Sequence, residues 1–404
     1  MTLYDGNYTD SATLDHIKHV LYNYDSSLRH RRDANRTVVG GFTDDLLGFL
    51  NETERYGEWL RYWDAGACGG AGDAAGGGGD PRYVKRHIHH GLLLDADVPE
   101  THWFEYKSVF KKRYRTGRHE AAARRRWRDN ARHVATHNRQ FLAGRKGFAL
   151  HLNHLADFGP SEYTRRMLKL LETPDLPDPA LDPRRRALAR PRHPAPRSVD
   201  WRSRGFRPRR ARQAACGACY AFAAAHALQA QLYRRGGRWA DLSAQQIVDC
   251  SGADGNAGCA GGSLRAAFRY MTRDGLHTEA DYPYRGKRGV CRVGPWWRAR
   301  ARRWALLPAG DEAALERAVA AVGPLAVAVN AAPRSFQLYR SGIYDDPLCA
   351  PWVLNHAMLL VGYSRDHWTL LNWWGRHWGE DGYIRIRRGL NICGVANMAA
   401  YVEL

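Results

Sequence analysis

The stretch Gln213-Ala-Ala-Cys-Gly-Ala-Cys-Tyr-Ala-Phe-Ala-Ala-Ala-His-Ala-Leu-Gln-Ala-Gln-Leu-Tyr-Arg-Arg-Gly-Gly237 decides the reading of this chain. Its later part is rich in Ala and Leu, sets Phe222, Leu228 and Leu232 near one face, and stops at a Gly pair. Those are the marks of a helix with a glycine stop. Cys219 then falls in the first turn, where the positive end of the helix macrodipole favours a thiolate. Two readings stand at this point: a packed core residue of the helix, or a nucleophile. A nucleophile needs a base.

Of 18 histidines, His356 is the one whose surroundings suit that task. It opens the apolar run 357–363, and a second run, 368–372, follows the short polar turn Ser364-Arg365-Asp366. Two apolar runs around such a turn predict a hairpin. A hairpin centred symmetrically on Ser364 sets His356 directly across from Asn372, where an amide oxygen can orient an imidazole.

The cysteines point the same way. Seven of the eight (216, 219, 250, 259, 291, 349 and 393, with Cys68 apart) lie in the last half of the chain. Three disulfides and one free thiol is the simplest reading of seven, and it implies an oxidising compartment. Reduced, buried thiols in a cytosolic protein are the alternative. N-x-[ST] sequons at Asn7, Asn35 and Asn51 lean towards secretion. The opening MTLYDGNYTDSATLDHIKHV has neither a basic nor an apolar leader segment, so either the protein is cytosolic or its true N-terminus precedes this sequence. The cysteines and sequons outweigh that, giving a lysosomal or secreted protein.

Composition narrows the classes. A chain of 404 residues with 44% hydrophobic and 25% charged side chains is globular rather than disordered, and no run of apolar residues is long enough to span a membrane. The net charge of +20 invites nucleic-acid binding. The scatter of the arginines and the lack of any zinc-finger or helix-turn-helix pattern argue against it. His87, His89 and His90 suggest a metal site, but no second cluster of ligands accompanies them, so no metal and no cofactor are expected.

Four regions follow from the composition. Residues 1–95 are an acidic, Tyr- and Asp-rich extension with short strand candidates at Arg36–Val39 and Glu58–Trp63 and a Gly-rich loop between Gly66 and Gly79. Residues 96–170 are basic and helical, with Trp103, Phe104, Tyr106 and Phe110, then Trp127, Val134 and Phe141, at helix-like spacings. Residues 171–196 are a Pro- and Arg-rich linker, extended and open to proteolysis. Residues 197–404 carry the cysteines and strand-like runs such as Pro324–Asn330 and Ala357–Tyr363. Helical parts followed by β-rich parts make an α+β protein.

Residues 198–404 resemble the papain and cathepsin L cysteine proteases over essentially their whole length. The matching stretches are SVDWR (198–202), QAACGACYAF (213–222), LSAQQIVDCS (242–251), GCAGG (258–262), DYPYRG (281–286), SFQLYRSGIY (335–344), NHAMLLVGY (355–363) and NWWGRHWGEDGYIRIRRG (372–389). The resemblance implies a two-lobed fold, a helical left lobe beside a β-barrel right lobe, preceded by a helical propeptide. It implies Cys219 as nucleophile, His356 as general base and acid, Asn372 as the orienting residue, and Gln213 with the Cys219 N–H as oxyanion donors. Trp374 would shield the His–Asn bond from water, and Trp378 would wall the leaving-group side. Gly261 and Gly262 would hydrogen-bond an extended peptide. Ser263, Leu264, Ala328, Ala357 and Met398 would line an uncharged pocket for the residue second before the cut, which predicts Leu, Phe or Val there. The family's disulfides map onto Cys216–Cys259, Cys250–Cys291 and Cys349–Cys393, leaving Cys219 free.

Residues 100–170 resemble the family's inhibitory propeptide through Trp127, Asn130, Val134 and Asn138. The opening Glu and Arg of that helix signature are out of register, at Glu120 and Arg124, where His119 and Ala123 stand in their places. The following short motif, His151-Leu-Asn153-His-Leu155-Ala-Asp157, is altered at its first and third positions. With WLRYWD (59–64), DADVPETHWFEY (95–106), CSGADGNAGCAGG (250–262) and NICGVANMAAYVEL (391–404), the layout is similar to insect haemocyte cathepsin-L-like proteases that carry a long N-terminal extension. Partners implied are peptide substrates, the propeptide as internal inhibitor, and cystatin-type inhibitors. Tyr220 stands where the family usually has Trp, and Trp373 where it has Ser; so large a ring next to Gln213 predicts crowding of the oxyanion donor and reduced activity. The competing class is therefore a papain-fold binding or matrix module with little activity.

Overall fold

Trp103 and Tyr106, one turn apart, bury one side of a short helix, α1 (Glu100–Val109), while Phe104 on the other side stays exposed. The computed structural model describes residues 88–89, 91–171, 195–236 and 240–404. Before α1 a two-residue strand pair forms, β1 (Ile88–His89) against β2 (Leu92–Leu93). Thr116 caps α2 (Gly117–Leu142), its hydroxyl accepting from the His119 N–H. Trp127 and Val134 lie on the buried face of α2, with Trp127 packed against Trp103 and Tyr106. The chain then runs through β3 (Phe148–Leu150) and α3 (Pro160–Met167), which has Pro at its first position, where a missing N–H costs nothing.

The remainder divides into the two expected lobes. After β4 (Val199–Asp200) comes α4 (Cys219–Gly236), buried around its whole circumference from Cys219 to Gln231 rather than along one stripe. Its run of alanines makes that possible, since small side chains let neighbouring elements approach on every side. α5 (Ala244–Cys250) and α6 (Leu264–Arg273) pack beside it, each capped by a serine, Ser243 and Ser263. The other lobe is a sheet of β5 (Arg303–Leu306), β6 (Leu325–Val329), β7 (Tyr339–Tyr344), β8 (His356–Tyr363), β9 (His367–Leu371), β10 (Tyr383–Arg387) and β11 (Ala399–Glu403), with α7 (Glu312–Ala321) packed on β8. Strand order is β3-β7-β10-β9-β8-β6-β11-β5, with β4 also on β8. Every residue of β6 and β8 is buried, as expected for central strands covered on both faces.

Three disulfides close: Cys216–Cys259, Cys250–Cys291 and Cys349–Cys393, and Cys219 is free and buried. The strand candidates at 36–39 and 58–63, the Gly-rich loop, the sequons, Cys68 and most of the linker lie outside the described residues, as do the side chains of His87, His89 and His90. Among the described residues no group of three or more His, Cys, Asp or Glu is placed to hold a metal, and no helix is long and apolar enough to cross a membrane.

Candidate active site

The predicted hairpin forms, but its register differs from the symmetric one. Leu359 pairs with Leu371 and Leu360 with Leu370; beyond a bulge, Gly362 faces Thr369 and Tyr363 faces Trp368. The turn is centred on Arg365 and Asp366 rather than on Ser364, closing through the Ser364 N–H to the His367 carbonyl at 2.9 Å. On that ladder His356 stands diagonal to Asn372 rather than across from it. Diagonal neighbours remain within reach of longer side chains, and His356 Nε2 lies 2.8 Å from Asn372 Oδ1. Trp374 covers the pair, its ring 4.9 Å from the imidazole, and it is itself buried.

Cys219 begins α4 and is wholly buried. The helix start does not leave it a thiolate in this form: burial pushes the thiol up to about 11, with the N–H groups of Ala357, Tyr220 and Lys169 pulling the other way. Burial likewise pushes His356 down to about 4, against the Asn372 hydrogen bond that favours its charged form. His356 Nδ1 is buried without a hydrogen-bond partner among the described residues. Both groups are therefore neutral over the physiological range.

The cause of that burial is chain from the α3 region. Residues 167–171 run through the cleft on backbone hydrogen bonds: Gly262 N–H to Lys169 O at 3.2 Å, Leu171 N–H to Gly262 O at 2.8 Å, and Leu170 N–H to Asn355 O at 3.1 Å. Leu170 and Gly262 pair in parallel. Gly261 has φ +126, and a Cβ on it would come within 2.4 Å of Lys169 O, so only glycine permits so close an approach. Gln213 is buried, and its Nε2 donates to Met167 O at 3.1 Å and to Cys216 O at 3.2 Å. A cavity of about 170 Å³ remains beside this segment, its lining including Met167, Ala214, Trp373 and Trp374.

Of the residues expected to line the uncharged pocket, Ala328, Ala357 and Met398 are neighbours. Ala328 pairs with Ala357 across β6 and β8, the Ala328 N–H donates to Met398 O at 2.9 Å, and Leu264 and Met398 are buried. Ser263 is spent on the cap of α6, its hydroxyl accepting from the Arg265 and Ala266 N–H groups. Trp378 is buried beneath Trp374, ring centroids 5.0 Å apart, its N–H donating to Phe336 O. The crowding expected from Trp373 is resolved by the fold. Its ring packs on Phe222 and His226 of α4, while Gln213 meets the Trp373 carbonyl, which accepts from the Gln213 N–H at 2.8 Å. Tyr220 reaches Gly258 O with its hydroxyl at 3.1 Å. Sequence reasoning missed Met167 and Lys169 as occupants of the cleft; no residue pattern marks them, because they act through backbone atoms.

Chain from the same polypeptide, laid through a cleft that holds a thiol and an imidazole, is the arrangement of a cysteine protease kept as its precursor. Residues 195–403 match the papain family cysteine protease domain, and residues 103–163 match the cathepsin propeptide inhibitor domain. Cathepsin S of Bos taurus is 38% identical over 327 residues, covering 79% of this chain and 95% of that protein. Cathepsin S of Rattus norvegicus is 36% identical. Among solved structures, digestive procathepsin L 3 of the Tenebrio molitor larval midgut aligns with a TM-score of 0.68 and 33% identity, over 76% of this chain and 99% of that one. The recombinant stem bromelain precursor aligns with a TM-score of 0.64 and 28% identity, over 75% of this chain and 98% of that one. The chain belongs to the papain family of cysteine proteases, of the cathepsin L-like kind, and is made as a zymogen.

Proposed function

We propose that the protein is an endopeptidase that cuts through a Cys219–His356–Asn372 triad and an acyl-enzyme intermediate. The observation that carries this is the 2.8 Å bond from His356 to Asn372 beside the buried Cys219. When the cleft segment leaves, water reaches both groups and the proton moves from Cys219 Sγ to His356 Nδ1. The thiolate attacks the peptide carbonyl carbon, and the oxyanion that forms is held by the Gln213 amide and the Cys219 N–H. His356 gives its proton to the leaving amine, then takes one from water as the acyl-enzyme is hydrolysed. The Gln213 contact to Met167 O supports the oxyanion role, since the same donor already holds a carbonyl oxygen.

Residues 96–170 act as the inhibitory propeptide, 171–196 as the processing linker and 197–404 as the peptidase, with the cut expected within residues 184–200. The pocket of Ser263, Leu264, Ala328, Ala357 and Met398 gives a preference for Leu, Phe or Val second before the cut. Three disulfides support a lysosomal or secreted site of action, where cystatin-type inhibitors are fitting partners.

The test is covalent labelling of the acid-activated full chain by an epoxysuccinyl peptide, with the modified residue mapped by mass spectrometry and the new amino terminus sequenced. Labelling confined to Cys219, lost in His356→Ala, is the expected result, together with faster cleavage of Leu than Arg peptides. Absence of labelling in correctly disulfide-bonded, propeptide-free protein would favour a binding module instead.

A further inference from the structure

We propose that Trp373 is a positioning residue that fixes the Cys219 thiol and the His356 ring relative to one another across the two lobes, an inference that rests on the roles proposed above. Nucleophile and base stand on different elements, α4 and β8, which share no hydrogen-bond ladder. Trp373 touches both. Its indole N–H donates to Ala357 O at 2.8 Å, one residue beyond His356. Its backbone N–H donates at 2.8 Å to Asn372 Oδ1, the oxygen that also meets His356 Nε2. On the other side its ring stacks on Phe222, with centroids 5.5 Å apart and planes 21° apart, and lies 4.7 Å from His226. Phe222 and His226 follow Cys219 at three and seven residues, so they share its helix face.

The side chain is fully buried and flat, and its N–H has one acceptor, so it has little room to shift. The Ala357 carbonyl is thus held by the indole, on the residue that follows the base. A serine at this position reaches neither α4 nor Ala357 O with comparable area. The ring is thus a rigid spacer between the strand that bears the base and the helix that bears the nucleophile. Geometry matters here because misplacement of reacting groups by about 1 Å costs on the order of 100-fold in rate.

The test uses the full chain, allowed to process itself at acidic pH, as the parent protein and as Trp373→Phe, Trp373→Ser and Trp201→Phe. Trp201 supplies the control because its indole also donates to a buried carbonyl, Val319 O at 2.9 Å, outside this cluster. Measured are kcat, KM, thermal melting, and the pH dependence of Cys219 alkylation by iodoacetamide. Trp373→Ser is expected to lower kcat by roughly 10- to 100-fold with KM within about twofold, and to move the acid limb of alkylation. Trp373→Phe keeps the stack without the N–H and falls between; it carries the test should the serine variant not fold. Trp201→Phe is expected to lower the melting temperature and leave the limb in place. Unchanged kcat and limbs in both Trp373 variants, or an equal limb shift in Trp201→Phe, would overturn the inference. Failure of the parent to be alkylated at Cys219 would instead overturn the triad.

Discussion

The propeptide and the peptidase are held by different kinds of contact. Between Glu100 and Leu171 many interior groups are polar: Asn130, His137, Asn138, Asn153, His154 and Asp157 are all buried, beside Trp103, Trp127 and Tyr163. Asp157 alone accepts from Tyr106 Oη, Lys112 Nζ and Tyr114 Oη at 2.8, 2.6 and 2.9 Å. Docking to the peptidase is polar as well: Asn153 Nδ2 donates to Gln337 O, Gln337 Nε2 to Leu155 O, Tyr163 Oη to Ala331 O, and Arg334 Nε to Asn130 Oδ1. The peptidase buries polar groups too, among them Gln245, Gln246, Asp249 and Asn256, but it adds wholly buried strands and the three disulfides. The contacts of the part that must leave can be exchanged for water or titrated, whereas the part that stays adds to such contacts covalent links that neither water nor acid removes.

The most severe attack on that contrast is Asp157→Asn. Breaking a buried ion pair costs about 3–5 kcal/mol, because Lys112 is left without its counter-charge. The expected outcome is activity at neutral pH without an acid step, and an unchanged melting transition for the peptidase. A parallel fall of both would mean that the two regions are one cooperative unit. Next comes the converse change, Cys250→Ser with Cys291→Ser. Opening that loop should cost the peptidase about 2–4 kcal/mol, while hydrogen exchange in α2 near neutral pH stays slow. Loss of protection in α2 would show that docking depends on that lobe's rigidity.

The smallest expected effect concerns pH. Burial lowers His133 to about 4, His151 to about 3 and His154 well below its ordinary value, and lowers His137 too. Arg334 adds to the effect at His133, Arg340 at His151, and Arg212, Lys112 and His377 at His154. A released propeptide takes up protons near pH 6.5, the docked one only far below it. Docking is therefore strongest above about 6.5 and weakens as pH falls towards 4. His151→Gln combined with His154→Gln should move the midpoint of acid release down by a fraction of a unit, read from the onset of activity. An unmoved midpoint would assign the acid response to carboxylates. The peptidase holds such rings too, His226 and His356 at about 4 and His377 lowered by burial, so acid weakens it as well, against disulfides that do not titrate.

Much of this was legible in the chain. The alanine-rich helix with Cys219 at its start, the hairpin, and the propeptide helices are written in local periodicity. The His356–Asn372 contact was expected from a register that does not form; a bulge and a turn centred on Arg365 and Asp366 displace the ladder, and side-chain reach restores the meeting. Glu120, one residue out of the family register, still ties α1 to α2 by accepting from Trp103 Nε1 at 3.3 Å and from Lys107. The burial of Cys219 and His356 had no local sign, because the chain laid through the cleft, with Lys169 and Leu170 in it, comes from about 50 and 186 residues before them in sequence. Trp373 looked like an obstruction in sequence; the direction of its ring is set by Phe222 and His226, which only the folded helix brings to it.

One strand of the propeptide reaches further than inhibition. β3 pairs with β7, Phe148 facing Gly342 and Ala149 facing Ser341, and so closes that margin of the sheet. Maturation strips away this guard strand. The switch-on step therefore also unpairs the margin of β7 that Phe148 and Ala149 had closed, turning an interior strand of the sheet into an edge strand.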